Sequence, residues 1–209
     1  MPAVPLNTSD IKAIVFDLDN TLVSCNMDFK GLREQIGCPL NADLLTYIDE
    51  LDCPESAQRA HRIILQHELD DARHSEPMPG CHNLLEFIKS QAFETAIITR
   101  NCAQAALQKT QFNQLNISRL ITREHFPPKP TPDSLLALAD EWVLAPHQIL
   151  YVGDYLYDLQ AATNADMPCC LVTHGQQLDF AHCASLVVEQ LSGIIEHFVS
   201  QQQNTPPLA

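Results

Sequence analysis

Residues 11–21 read IKAIVFDLDNT. Ile11 to Phe16 form a short apolar run, rich in β-branched side chains. Such a run predicts a strand buried on both faces, as in the interior of a parallel sheet. It stops at Asp17-Leu18-Asp19-Asn20-Thr21. Two carboxylates one residue apart, where a strand ends, can point into the same cavity. One can attack a phosphorus atom while the other exchanges a proton. Like charges this close repel unless a cation sits between them. Hard Mg²⁺ suits carboxylate oxygens and keeps several waters.

Apolar runs of the same kind recur at Thr95–Ile98, Ile149–Val152, Cys169–Val172 and Leu186–Val188. Helix-like segments separate them. His82 to Ser90 places Leu84, Leu85 and Ile88 on one face. Thr131-Pro132-Asp133 reads as a helix start, with Thr131 as the cap and Pro132 in the first turn. Strand alternating with helix predicts an α/β fold with a mostly parallel, doubly wound sheet. The interval 24–79 is too long for one crossover. It reads as helical, with candidates at Ala42–Leu51 and Pro54–Arg73, and ends at the turn cluster Pro77-Met78-Pro79-Gly80. The expected organisation is therefore a core of residues 1–23 and 80–200, a helical insert over 24–79, and a frayed or disordered tail at 201–209.

The chain has 209 residues, 45% of them hydrophobic and 18% charged, which suits one well-buried domain with a small insertion. No run reaches the roughly 18 apolar residues that a membrane helix needs, and the first ten residues lack the pattern of a secretory signal. A net charge of −14 argues against binding nucleic acid or an anionic lipid surface, both of which need a basic face. None of the eight cysteines is spaced C-x-x-C, so they read as reduced and mostly buried in a cytoplasmic protein.

Three further polar islands follow strands, where open α/β sheets bind ligands. Thr99, after Thr95–Ile98, can donate a hydroxyl to a phosphoryl oxygen. Lys129, before Pro130, can neutralise charge on a transferring group. After ILYV comes Gly153-Asp154-Tyr155-Leu156-Tyr157-Asp158. Asp158, one turn into a helix, would face the same cleft as Asp154 and complete a metal site.

The set DLDNT, T, KP and GDYLYD, in this order over Asp17 to Asp158, resembles the four motifs of the haloacid dehalogenase superfamily of aspartyl-nucleophile phosphohydrolases. The insert after the first motif resembles that family's small cap. The turn Met78-Pro79-Gly80, a helix and AIITRN resemble the capped branch that includes phosphoglycolate phosphatase. The resemblance implies a Rossmann-like core with strand order 5-4-1-2-3. It implies Asp17 as nucleophile, forming an aspartyl phosphate, and Asp19 as general acid and then base. It implies Mg²⁺ held by Asp17, the Asp19 backbone carbonyl and Asp154, with Asp158 as a ligand or beside one. Thr99 and Lys129 would bind phosphoryl oxygens. The expected activity is Mg²⁺-dependent hydrolysis of a small phosphomonoester, first a small phosphorylated acid such as phosphoglycolate, then a sugar phosphate or nucleotide. A β-phosphoglucomutase-like phosphotransferase is the alternative. A dehalogenase conflicts with Asp19, and a non-enzymatic interaction protein conflicts with four intact islands. Monomer and homodimer both stay open.

Bland readings stand beside these. Arg100 and Asn101 are candidate phosphate contacts, but Asn101 also reads as a helix cap and Arg100 as a solvated charge. The basic residues and histidines of the insert read by default as an exposed helix face. Ala165-Asp166 stands where relatives often carry Ala-Gly, so Asp166 is expected in a left-handed turn at a small cost in stability.

Overall fold

The computed structural model describes residues 2–204. Six parallel strands form one sheet: β1 (Ala13–Phe16), β2 (Glu94–Ile98), β3 (Arg119–Ile121), β4 (Ile149–Gly153), β5 (Cys169–Val172) and β6 (Leu186–Val188). Their order is β3-β2-β1-β4-β5-β6. The five-strand order implied by the resemblance is present, with β6 added beyond β5. Strand β3 was not among the runs read from the sequence. It has three residues, one of them Arg119, and only Ile121 is buried, so it carries no apolar run to recognise.

Alternation on β1 sends its side chains to two cores. Ile14 and Phe16 join a cluster with Leu84 and Ile88 of α4 (Cys81–Ser90) and Ile194 and Phe198 of α8 (Ser192–Asn204). Ala13 and Val15 join a second cluster with Leu135 and Leu138 of α6 (Asp133–Trp142) and Leu159 and Ala162 of α7 (Leu156–Asn164). Helices on both faces explain why β1 needs no polar side chain. The remaining core helix, α5 (Ala103–Phe112), follows β2.

The insert contains α1 (Phe29–Ile36), α2 (Leu44–Asp49) and α3 (Pro54–Ala72). They close on their own apolar cluster of Leu32, Cys38, Leu44, Ile48, Ala60 and Ile64. Its two ends run side by side: Ser24 N donates to Glu76 O at 2.8 Å, and Met78 N to Leu22 O at 2.9 Å. Pro54 opens α3 at its first turn, where a missing N–H is harmless.

Two local expectations change. Pro132, not Thr131, precedes the first residue of α6, and the Thr131 hydroxyl donates back to the carbonyls of Pro127 and Pro128. With its hydroxyl turned to the preceding turn, Thr131 has no side chain left to cap the helix. At the other end of the chain, α8 runs through Asn204, so residues 201–204 continue a helix anchored by the buried Ile194 and Phe198. The rest of the expected tail, 205–209, lies outside the described residues.

Asp166 does adopt the left-handed conformation, with φ of 55°. Met167 N donates to Ala162 O and Asp166 N to Thr163 O, the two bonds of a Schellman close to α7. Asp166→Gly should therefore stabilise the chain by up to about 1 kcal/mol, and Asp166→Val should destabilise it by at least that much, as read by urea unfolding.

Candidate functional site

Parallel register aligns the strand ends. Phe16 pairs with Ile97 on one side and Val152 on the other. Asp17, Thr99 and Asp154 therefore emerge side by side at the carboxyl edge of the sheet. Asp17 N donates to Val152 O at 2.8 Å, and Thr99 N to Ile121 O at 2.9 Å, which holds both backbones in the sheet's extension. One cavity of about 450 Å³ is lined by all eight residues singled out from the sequence: Asp17, Asp19, Thr99, Arg100, Asn101, Lys129, Asp154 and Asp158. The insert supplies the opposite wall, including Met27, Leu32, Leu44, Leu45 and Ile64.

Lys129 is the hub of the first group. Its ammonium donates to Asp17 Oδ1, to Asp158 Oδ1 at 2.7 Å and to the Tyr151 hydroxyl at 2.9 Å. Burial would lower the ammonium's pKa, but Asp158 and Asp17 outweigh it and hold Lys129 well above the ordinary lysine value. Asp158 is also fixed at the start of α7, where its Oδ2 accepts from Tyr155 N at 3.0 Å. A Cβ on Gly153 would stand 2.3 Å from Asp158 Cγ, so glycine there is what lets this carboxylate fold back against β4.

Ligand oxygens of Asp17, Asp154 and Asp158 lie within 4.8 Å of one another. Burial pushes the Asp17 carboxyl up to about 7; Lys129 opposes this, and Asp158 and Asp19 add to it. Burial, then Asp17 and Asp158, push Asp154 up to about 8. Lys129 alone leaves the cluster short of positive charge. An all-oxygen, partly buried set with that deficit fits a hard divalent cation.

Asp19 belongs to a second group. Its Oδ2 accepts from Asn101 Nδ2 at 2.7 Å, and its Oδ1 from Lys109 Nζ at 2.5 Å. Asn101 also donates to Thr99 Oγ1 at 2.9 Å. Asn101 is thus not the cap of α5; Cys102 holds that position. Arg100 turns to the insert: Nη2 bonds Asp43 Oδ2 at 2.6 Å, and its guanidinium lies 4.9 Å from the centre of the Tyr157 ring. Burial raises the Asp43 carboxyl, but Arg100 and the amide and hydroxyl of Thr46 together outweigh it and keep Asp43 below the usual range.

The sequence reading missed Lys109, Tyr151 and Asp71. A signal for Lys109 exists. It sits with Thr110 and Asn113 on the same stripe as Ala105 and Ala106, a buried helix face where polar side chains need partners.

The model of the haloacid dehalogenase-like hydrolases matches residues 14–172. The chain belongs to that family. A haloacid dehalogenase-like hydrolase domain-containing protein of Arabidopsis thaliana is 30% identical over 159 residues, covering 71% of this chain; the chain spans 64% of that protein's length. A phosphoglycolate phosphatase of Thiobacillus denitrificans is 29% identical over 191 residues, covering 79% of this chain and 84% of that one. The crystal structure of a hydrolase from Pseudomonas syringae shares the fold with a TM-score of 0.74 and 22% identity, covering 90% of this chain and 98% of that one. Among the described residues, no helix is long and apolar enough to cross a membrane.

The raised carboxyls make a stability prediction. In chelator, Asp17 and Asp154 bind protons more tightly folded than unfolded, so the folded state holds more protons between about pH 4 and pH 8 and loses stability as pH rises through that window. The melting temperature of the chelated protein should fall over this range, and added Mg²⁺ should raise it more near pH 8 than near pH 5.5, where protons compete. An equal Mg²⁺ effect at both values, by scanning fluorimetry, would argue against a carboxylate site.

Proposed function

We propose that the chain is a Mg²⁺-dependent hydrolase of small phosphomonoesters. One observation carries the reading: Asp17 and Asp19, one residue apart at the end of the central strand, face a single cavity with separate partners. Lys129 holds the first and Lys109 with Asn101 the second.

In this reading an Asp17 oxygen attacks phosphorus as the bond from phosphorus to the leaving oxygen breaks, and Asp19 gives that oxygen its proton. Asp19, now a carboxylate, takes a proton from water as the water oxygen attacks the aspartyl phosphate. The bond between Asp17 and phosphorus breaks, and phosphate leaves. Lys129 fixes the rotation of the Asp17 carboxylate. Thr99 and Lys129 donate to phosphoryl oxygens. A cation held by Asp17 and Asp154, with Asp158 beside them, would supply charge neutralisation. Asp158 gives oxygens to Lys129, Tyr151 and Tyr155 N, which suits it to holding the cluster together.

The first-choice substrate is a small phosphorylated acid of the phosphoglycolate kind. Arg100, at the cavity wall, is the cation that would meet a carboxylate, in place of Asp43. A sugar phosphate or nucleotide is second. The insert lines the cavity with apolar Met27, Leu32, Leu44, Leu45 and Ile64 and with polar Arg33, Asp43 and Glu68. The helical insert would act as a cap that excludes bulk water during attack.

Phosphate release from a panel of small phosphomonoesters with Mg²⁺ tests the reading. Asp17→Asn should lower turnover of an aryl phosphate by at least roughly 1000-fold. Asp19→Ala should lower it by roughly 100-fold or more while Mg²⁺ still binds. Chelator should stop the reaction and Mg²⁺ restore it; full activity in excess chelator would defeat the metal assignment. Conversion of a hexose 1-phosphate to a 6-phosphate, without phosphate release, would replace hydrolysis by transfer.

A further inference from the structure

Lys109 has no exposed surface, yet it carries an ammonium in the interior of α5. It donates to Asp19 Oδ1 at 2.5 Å and to Asp71 Oδ2 at 2.6 Å. Asp71 lies in the last turn of α3, and its Oδ1 accepts from Asn26 N at 2.7 Å, on the first chain segment leading into the insert. An isolated buried ammonium is costly; two carboxylates offset it, and removal of either side leaves an uncompensated charge.

The geometry at Asp19 is complete. One oxygen is held by Lys109 and the other by Asn101, so the carboxylate plane cannot turn. Each oxygen keeps a lone pair beyond these bonds, and Asp19 remains partly open to the cavity. Lys129, the other buried lysine, reaches Asp17 and not Asp19. The two carboxylates at the strand end are therefore oriented by different cations.

We propose that Lys109 is a positioning residue for the second half of the reaction. It holds the Asp19 carboxylate in the orientation that takes a proton from the attacking water, while Asp71 ties the same ammonium to the stem of the insert. The inference rests on the hydrolase reading above. When the water step occurs, the water O–H proton passes to Asp19, the water oxygen bonds phosphorus, and Asp17 is released. Lys109 exchanges no proton and touches no substrate atom.

The test uses 2,4-dinitrophenyl phosphate with the full chain and Mg²⁺. Its leaving group needs no proton, so formation of the covalent intermediate does not call on Asp19, and only breakdown does. Lys109→Met should lower kcat roughly 10- to 100-fold, part of what a general base supplies. It should also produce a pre-steady-state burst of dinitrophenol approaching one equivalent per chain, with KM unchanged or lower. Lys109→Gln, which keeps a donor toward Asp19, should lower kcat less and show a smaller burst. A fall in kcat without a burst, or no fall, overturns the proposal. So does failure of both variants to fold by circular dichroism, which would make Lys109 a structural ion-pair member. A wild-type chain that releases no dinitrophenol at all points instead to failure of the hydrolase reading, and this inference goes with it.

Discussion

Everything at the carboxyl edge of the sheet depends on placing negative charges together in a half-dry cleft. Asp17, Asp154 and Asp158 have oxygens within 4.8 Å of one another. Two unit charges at about 4 Å repel by roughly 4 kcal/mol at an effective dielectric constant of 20. Lys129, 4% exposed, is set among them and donates to two of the three. Tyr151 and the Tyr155 amide supply the remaining donors to Asp158. The parallel sheet makes this possible, because register brings β1, β2 and β4 to their ends at one level.

Charge is organised around two buried lysines. Lys129 serves Asp17 and Asp158, and Lys109 serves Asp19 and Asp71. A chain of net charge −14 thus sets a buried ammonium beside each of Asp17 and Asp19, and the local field there differs from what the sum over the surface suggests.

The insert is joined to the core by charge as well as by its two adjoining strands of linker. Arg100 meets Asp43 of the α2 cap, Arg123 meets Glu68 of α3, and Lys109 meets Asp71 at the end of α3. Glu68 also accepts from Cys102 N at 3.0 Å. The first pair is partly exposed and correspondingly weak. The Lys109–Asp71 pair is buried and the Arg123–Glu68 pair largely so, and breaking one side of either leaves an unpaired charge out of bulk water. The insert's own apolar cluster stays separate from both sheet clusters, and a smaller one, in which Ala72 of α3 packs with Cys102 and Ala105 and Leu65 and Leu69 lie against them, joins α3 to α5.

By itself the sequence determined the class of fold and the four polar islands. Buried parallel strands must be nearly all apolar, and the residues that end them are the ones free to carry charge. It also determined the left-handed close at Asp166, since a Schellman turn needs a residue that tolerates positive φ. Strand β3, the true start of α6 and the helical course of 201–204 are tertiary outcomes. Three marginal residues pair only because β2 offers an edge, Thr131 spends its hydroxyl on the preceding turn, and α8 is anchored by the sheet's core. The partners inside the site were also decided in three dimensions. Asn101 and Arg100 are neighbours in sequence, yet one turns to Asp19 and the other to Asp43. Lys109, far from every motif, reaches the central strand only because α5 packs its polar stripe inward, where a charged group must find opposite charges.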